Sequence, residues 1–321
     1  MSIAKPQTAS LIDILNQGFV AVNRRMWVIV IPIILNIYVW YGAQVSFRPL
    51  VNDLLALFQH STPAAEAAPM QAIYAGWRAV GAYDLTQTLD RLRLVPRLAL
   101  YSVPAATGGV FPSEVLPQLD PARVVFEVGN PSVAVLLFLA VNLLLVPISA
   151  AFLAMLANAV RQDRLTVRGM LALIARTTLS ILGYAAMLLA ALLVIGVPVL
   201  IVSGLLMLVS PGFGLFLLLL LLTAWFWLNI YIGFSPEAIA VGQLDPIQAL
   251  RSSFQLVRRH FWGSMLLLLL SAVISAGLGL VWSIIVQSQI GLVVAIIGSA
   301  YVGSGLVAAR MIFYRERLQR V

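Results

Sequence analysis

Polar and apolar positions along this chain follow two regimes. Short stretches place an apolar residue every three or four positions, and each leads into a long run almost free of charge. The runs cover Met26–Phe47, Pro131–Val160, Thr177–Val209, Gly212–Phe234, Trp262–Val286 and Ile290–Ala309. As a helix, each is long enough to cross a hydrocarbon core of about 30 Å, which takes roughly 20 residues. The pattern predicts an all-α fold, a polytopic membrane bundle of six transmembrane helices. Residues 1–47 read as an amphipathic helix and the first span, 48–130 as an extracytoplasmic insertion, and 131–321 as a five-span bundle.

The short amphipathic stretches are related to one another. SLIDILNQGFVAVNRRMW before the first span resembles DPIQALRSSFQLVRRHFW before the fifth at a constant offset of 235. Ile12 matches Ile247, Leu15 matches Leu250, Phe19 matches Phe254, Val22 matches Val257, Arg24 matches Arg259, and Trp27 matches Trp262. Apolar members advance by three and four residues, which marks one helix face. Ser10 with Asp13 forms a capping-box pattern, and Asp245-Pro246 supplies an N-cap with an N1 proline. A weaker copy precedes the third span, where Thr166 caps a helix with Val167, Met170 and Ile174 in the same register. The chain therefore reads as three units, each an amphipathic helix followed by a transmembrane hairpin. On the third such helix Ile247, Leu250, Phe254 and Val257 are expected to be buried, with Arg251, Arg258 and Arg259 outward.

The insertion carries Leu50–Phe58 and Met70–Leu94 as helical stretches, joined by the linker STPAAEAAP. Prolines and a Gly-Gly pair interrupt regular structure from Pro96 to Pro131, apart from a short strand over Arg123–Val128.

Composition and charge orient this picture. At 61% hydrophobic and 10% charged residues the chain is no soluble domain, where about a quarter of residues are charged. Fourteen of the 20 basic residues fall on one side of the six runs, with both termini and all the amphipathic helices. The positive-inside rule makes that side cytoplasmic. The net charge of +8 sits beside span ends, where it meets anionic lipid and not nucleic acid. Candidate headgroup contacts are Arg24, Arg25, Arg251, Arg258 and Arg259. A plainer reading packs these helices against the bundle. The first run begins only after Arg24-Arg25 and has the length of a signal anchor.

Chemistry is sparse. No cysteine is present, and His60 and His260 fall on opposite sides of the membrane, so no metal site and no cofactor is expected. No ionisable residue lies well inside a run. The neutral amides Asn36, Asn142, Asn158, Asn229 and Gln287 read as groups that stitch helices together. Pro32, Pro147 and Pro198 read as kinks. Ser271, Ser275 and Gly279 recur every four residues in the fifth span, as do Ser299 and Gly303 in the sixth, with Gly305 and Ala309 on a neighbouring face. Small residues at that spacing allow close helix approach within the hairpin or between two copies of the chain. No HExxH, Walker-type loop or dinucleotide fingerprint occurs, and no serine in the spans has a histidine for a base.

One stretch has family character. Pro236, Glu237, Ala238, Ala249, Leu250, Ser253, Phe254, Leu256, Val257, Phe261 and Trp262 resemble a pattern of the glycerophosphodiester phosphodiesterase membrane-domain proteins and related bacterial multi-pass proteins. In that family the membrane part can be joined to a catalytic barrel carrying the metal-binding residues. This chain has no room for such a barrel, so the resemblance implies no phosphodiesterase activity, and the long insertion departs from the family layout. The expectation is a non-enzymatic membrane scaffold, or a subunit that organises lipid or partner proteins. The alternative is a transporter or permease component, with a membrane enzyme acting in the outer loop ranked last. Expected partners are the bilayer, anionic lipids among it, and a membrane protein or second copy.

Overall fold

The computed structural model describes residues 10–61, 74–75, 77–78, 81, 94–102, 113–115, 123–162 and 166–318. Helix α1 spans Leu11–Arg24, followed by a 3₁₀ turn at Met26–Ile29 and α2 at Val30–Tyr41. The insertion contributes β1 (Gln44–Ser46), α3 (Arg48–Ser61), β2 (Leu100–Ser102), β3 (Ser113–Val115) and β4 (Val125–Glu127). Then come α4 (Pro131–Arg161), α5 (Val167–Ala191), a π-helical turn at Leu192–Gly196, α6 (Val197–Val209) and α7 (Pro211–Ile232). The chain continues with α8 (Ser235–Gly242), α9 (Pro246–Arg259), α10 (Phe261–Ile285) and α11 (Gln289–Leu318). It is an all-α polytopic bundle. Among the described residues five helical stretches are long and apolar enough to span a membrane, and Leu11–Arg24 with Met26–Tyr41 makes a sixth only as a pair bent by 93°. By packing, the chain forms two compact units.

The first unit holds residues 1–29, 146–275 and 301–321. Here α1 and α9 are copies in length and in cap backbone, although only Ser10 makes a side-chain cap bond. Each has 14 residues. The capping box forms as read: the Asp13 amide donates to Ser10 Oγ and the Ser10 amide to the Asp13 carboxylate, both at 3.1 Å. Asp245, at the same offset, has the same extended backbone (φ −71°, ψ 159°, against −65° and 158°). The far ends exit at similar angles, with closing bonds that reach three residues back in α1 and four in α9. Arg25 and His260 leave the helix at φ −140° and −126°, their amides donating to Val22 and Leu256 carbonyls.

The face these helices bury differs from the expected one. Ile14, Gly18, Ala21 and Val22 are buried in α1, and Ala249, Ser253, Leu256 and Val257 occupy the same four positions in α9, with Ser252 buried beside them. Of the predicted set only Val257 is fully buried; Leu250 is half-buried, while Ile247 and Phe254 are 54% and 48% exposed. The reason is steric: Gly18, Ala21, Ala249 and Ser253 let the helix backbone approach its neighbours, so that side packs, with Ile14, Val22, Leu256 and Val257 on it, while Ile12, Ile247 and Phe254 fall outside the sector. A Cβ on Gly18 would stand 2.7 Å from the Ala309 amide nitrogen and 2.8 Å from its Cβ, and Gly305 makes room for the Phe19 ring. Phe19 then lies 5.7 Å from Tyr301, whose hydroxyl donates to Asn23 Oδ1 at 2.9 Å.

In the middle copy Thr166 does cap, accepting from the Gly169 amide at 3.2 Å. No break follows it. The amphipathic stretch and the third span are one continuous helix, which buries Leu173, Thr177 and Ile181 and leaves Val167 exposed. Without a terminating residue like Arg25 or His260, nothing turns the chain. The hairpins of the first two units also end alike: Ala157-Asn-Ala-Val-Arg-Gln and Ala238-Ile-Ala-Val-Gly-Gln each finish on a left-handed glutamine, Gln162 (φ 62°) and Gln243 (φ 52°). Pro198 stands just after the π turn, which absorbs the backbone bond that proline cannot donate.

The second unit holds residues 30–145 and 276–300. Strand β1 pairs in parallel with β4, within the stretch read as a strand, and β2 pairs antiparallel with β3. Residues 74–75, 77–78 and 81 are helical and Leu94 is not; the other residues of the Met70–Leu94 prediction lie outside the described residues, as does the linker beyond Ser61, which ends α3. Asn36, fully buried in α2, receives the Leu98 amide at 2.6 Å and donates to the Pro96 and Pro32 carbonyls at 3.2 and 2.7 Å. It thereby satisfies irregular backbone that packs, through Leu98, on Ala295 and Ile296. Arg123 donates to the Val39 and Gly42 carbonyls, closing the end of α2. The other amides behave differently: Asn142 and Asn229 donate to Phe138 and Trp225 carbonyls one turn back in their own helices.

Candidate functional site

The most unusual chemistry of the chain is a buried carboxylate. Helix α7 ends at Gly233 and Phe234, and Pro236 starts α8 at once, which places Glu237 in the first turn. A carboxylate there meets the positive end of the helix dipole. Glu237 is 2% exposed, and its Oε1 lies 2.8 Å from Arg310 Nη2 of α11. The same guanidinium donates to the Gly233 carbonyl, left free by the end of α7, and sits 5.7 Å above the Phe234 ring. Phe234 stacks on Phe313 at 5.6 Å, and Arg317 covers the other ring at 5.5 Å.

Hydroxyls surround the pair. Ser253 Oγ accepts from the Phe234 amide at 3.1 Å and donates to the Tyr231 carbonyl at 2.7 Å, bracing the break between α7 and α8. Ser252 and Tyr314 share a 2.7 Å hydrogen bond. Tyr184 of α5 is buried near Ser235, and Ser235 Oγ, Glu237 Oε2 and Arg310 Nε are buried without a hydrogen-bond partner among the described residues. Chemically the site is a charge-neutral ion pair ringed by serine and tyrosine hydroxyls, with spare hydrogen-bonding capacity.

Two further arginines serve helix ends. Arg161 Nη1 donates to the Val241 carbonyl at 3.2 Å, and Arg315 Nη1 to the Val160 carbonyl at 2.8 Å. Cations at these C-terminal carbonyls satisfy orphan acceptors and oppose the negative end of the dipole. Helix α11 thus ties α4 and α8 together through side-chain charge.

No family model, no curated protein and no solved structure matches this chain. The geometry of its own residues carries the functional reading.

The residues singled out from sequence are dispersed. Arg24, Arg251, Arg258 and Arg259 are exposed, and Arg25 is half-buried at its cap. Ser271 is half-buried and bonds the Leu267 carbonyl, while Ser275 is exposed. Gly279 is buried, but its close neighbours are Tyr101 and the Ala99 carbonyl, 2.9 Å from a Cβ built there, both in the insertion. Ser299 is buried and bonds the Ile296 carbonyl at 3.0 Å, and Gly303 is half-buried. The close fit in the α10–α11 hairpin is Trp282 over Gly298, a pair outside the expected stripe. Glu237 and Arg310, assigned from sequence to the charged rim, are the ones brought together. One signal pointed to Glu237, namely an acid set directly against the apolar stretch Ala238–Val241.

Proposed function

We propose that this chain is a non-enzymatic scaffold of the bacterial inner or plasma membrane, with both termini and its amphipathic helices cytoplasmic, organising lipid or a partner membrane protein. The observation that carries the reading is the doubled device of α1 and α9. Each packs through a sector that mixes small residues with the buried Ile14 and Val22, or Leu256 and Val257, and still leaves bulky apolar side chains exposed, among them Ile12 and Ile247, and Trp27 and Trp262 just past the helix ends. Exposed apolar groups beside arginine suit the lipid–water interface better than open water. The 93° bend after α1 lays that helix across the run that follows it. The resemblance of residues 236–262 to the phosphodiesterase-associated membrane domains agrees with a role that supplies no catalytic group.

A second reading, a transporter or permease component, draws on Glu237 and Arg310, because ionisable groups at depth commonly mark ion or substrate paths. Their partners favour the scaffold. Each charge neutralises the other, and Arg310 also closes a helix end.

The orientation is tested by impermeant thiol labelling of single-cysteine variants, for which the cysteine-free chain is suited. A cysteine at position 61 reacts in intact cells, whereas one at position 255 reacts only after permeabilisation. Residue 255 is chosen because Gln255 is exposed, while the nearby Ser252 is buried against Tyr314. The reverse pattern overturns the reading.

A further inference from the structure

We propose that the outward face of α9 is a binding site for anionic phospholipid headgroups, with Arg251 and Arg258 as the phosphate contacts. The inference rests on the membrane reading above and sharpens it, because it separates these two arginines from the other cations near span ends.

Around the helix axis the residues of α9 fall into sectors, each step turning about 100° at 3.6 residues per turn. Ala249, Ser252, Ser253, Leu256 and Val257 form the buried sector. Beside it comes an apolar sector of Leu250, Phe254 and Ile247, the last two exposed. Arg258 and Arg251 follow as a narrow strip, and then Gln255, Gln248 and Arg259. The order apolar, cationic, neutral polar is that of a helix lying in the interface: side chains in acyl chains, guanidiniums at phosphate depth, amides in water. Arg259 falls on the water side. Tyr231 stacks on Phe254 at 4.9 Å and fixes the apolar sector.

Charge complementarity identifies the occupant. The stretch Pro246–Arg259 contains no acidic residue. Among the described residues neither Arg251 nor Arg258 has a hydrogen bond or ion pair, unlike Arg161, Arg310 and Arg315. A guanidinium offers a planar donor fork that fits phosphate oxygens. The repeat supplies an internal comparison. At the offset of 235, Asn16 and Asn23 of α1 stand where α9 has Arg251 and Arg258, and Asn23 is taken by Tyr301. Helix α1 keeps the interfacial shape and lacks the phosphate-reading charge.

Native mass spectrometry of the full chain with phosphatidylglycerol and phosphatidylcholine of matched acyl chains tests this. The parent retains phosphatidylglycerol preferentially. Arg251→Gln/Arg258→Gln reduces that retention about 30-fold, the effect expected for two arginines at a phosphate surface. Phosphatidylcholine binding and thermal stability stay as in the parent, since both side chains are exposed. Arg24→Gln/Arg25→Gln and Arg259→Gln keep the preference, and excess inorganic phosphate leaves the lipid bound. Unchanged phosphatidylglycerol retention in the Arg251/Arg258 variant, equal loss in the Arg24/Arg25 variant, or displacement by free phosphate overturns the site. Any of these with normal labelling at positions 61 and 255 leaves the membrane reading standing, whereas reversed labelling removes that reading itself.

Discussion

Arg310→Met is expected to destabilise the protein by about 3–5 kcal/mol, the range for breaking a buried ion pair from one side. The loss has two parts. Glu237 is left as a buried charge with neither oxygen satisfied by a side chain, and the Gly233 carbonyl loses its donor. Glu237→Leu strands a guanidinium that is a quarter exposed, so it costs less. The double variant Glu237→Leu/Arg310→Met recovers most of the deficit, because a matched apolar pair removes both desolvation penalties. Thermal unfolding in one detergent across the four proteins measures the coupling. Additive losses, with the double variant worst, would mean that the two residues act separately.

Gly18→Leu carries the second large effect. The atoms facing this glycine belong to backbone as well as side chain, with the Ala309 amide nitrogen 2.7 Å from where a Cβ would stand. Backbone cannot rotate aside, so the substitution sits at the upper end of the roughly 1–3 kcal/mol typical of overpacking. Gly305→Leu should behave alike, because the Phe19 ring occupies its space. Gly277→Leu is the control, having nothing within 4 Å of its Cβ position. Unfolding midpoints of the three variants decide it: the first two fall well below the parent and the third stays near it. Equal midpoints for all three would mean that α1 and α11 do not cross at Gly18.

Much of the fold was legible because hydrophobic period and capping chemistry are local. Ser10, Asp13 and Thr166 form caps where they were expected, Asp245 holds the N-cap backbone without a side-chain bond, and the 235-residue offset extends to similar exit dihedral angles at Arg25 and His260. The buried face of α9 was misread because apolar character was taken as the mark of the core. In a chain that meets apolar solvent, apolar character does not separate core from surface: Leu256 and Val257 are buried beside Ala249 and Ser253, while Phe254 and Ile247 are exposed. The continuity of α5 was hidden for a related reason, since Val167–Arg176 has the amphipathic pattern without the residue that ends it. The Glu237–Arg310 pair was illegible as a pair. Its members are 73 positions apart and each lies at a span end, where sequence alone assigns charge to topology. The stripe of Ser271, Ser275 and Gly279 misled because spacing gives a face but not the neighbour, and at Gly279 the neighbour is Tyr101.

Spin-label depth measurements along both repeated helices, in liposomes, test the central claim that α1 and α9 are paired interfacial elements. Single labels at positions 247 and 254 should be accessible to oxygen and shielded from a water-soluble nickel chelate. Labels at 248 and 255 should show the opposite, and those at 251 and 258 an intermediate depth. Position 12 in α1 should pattern with 247, and 13 and 20 with 248 and 255. Uniform access of the nickel chelate to all labels on either helix would place that helix in water and contradict the account.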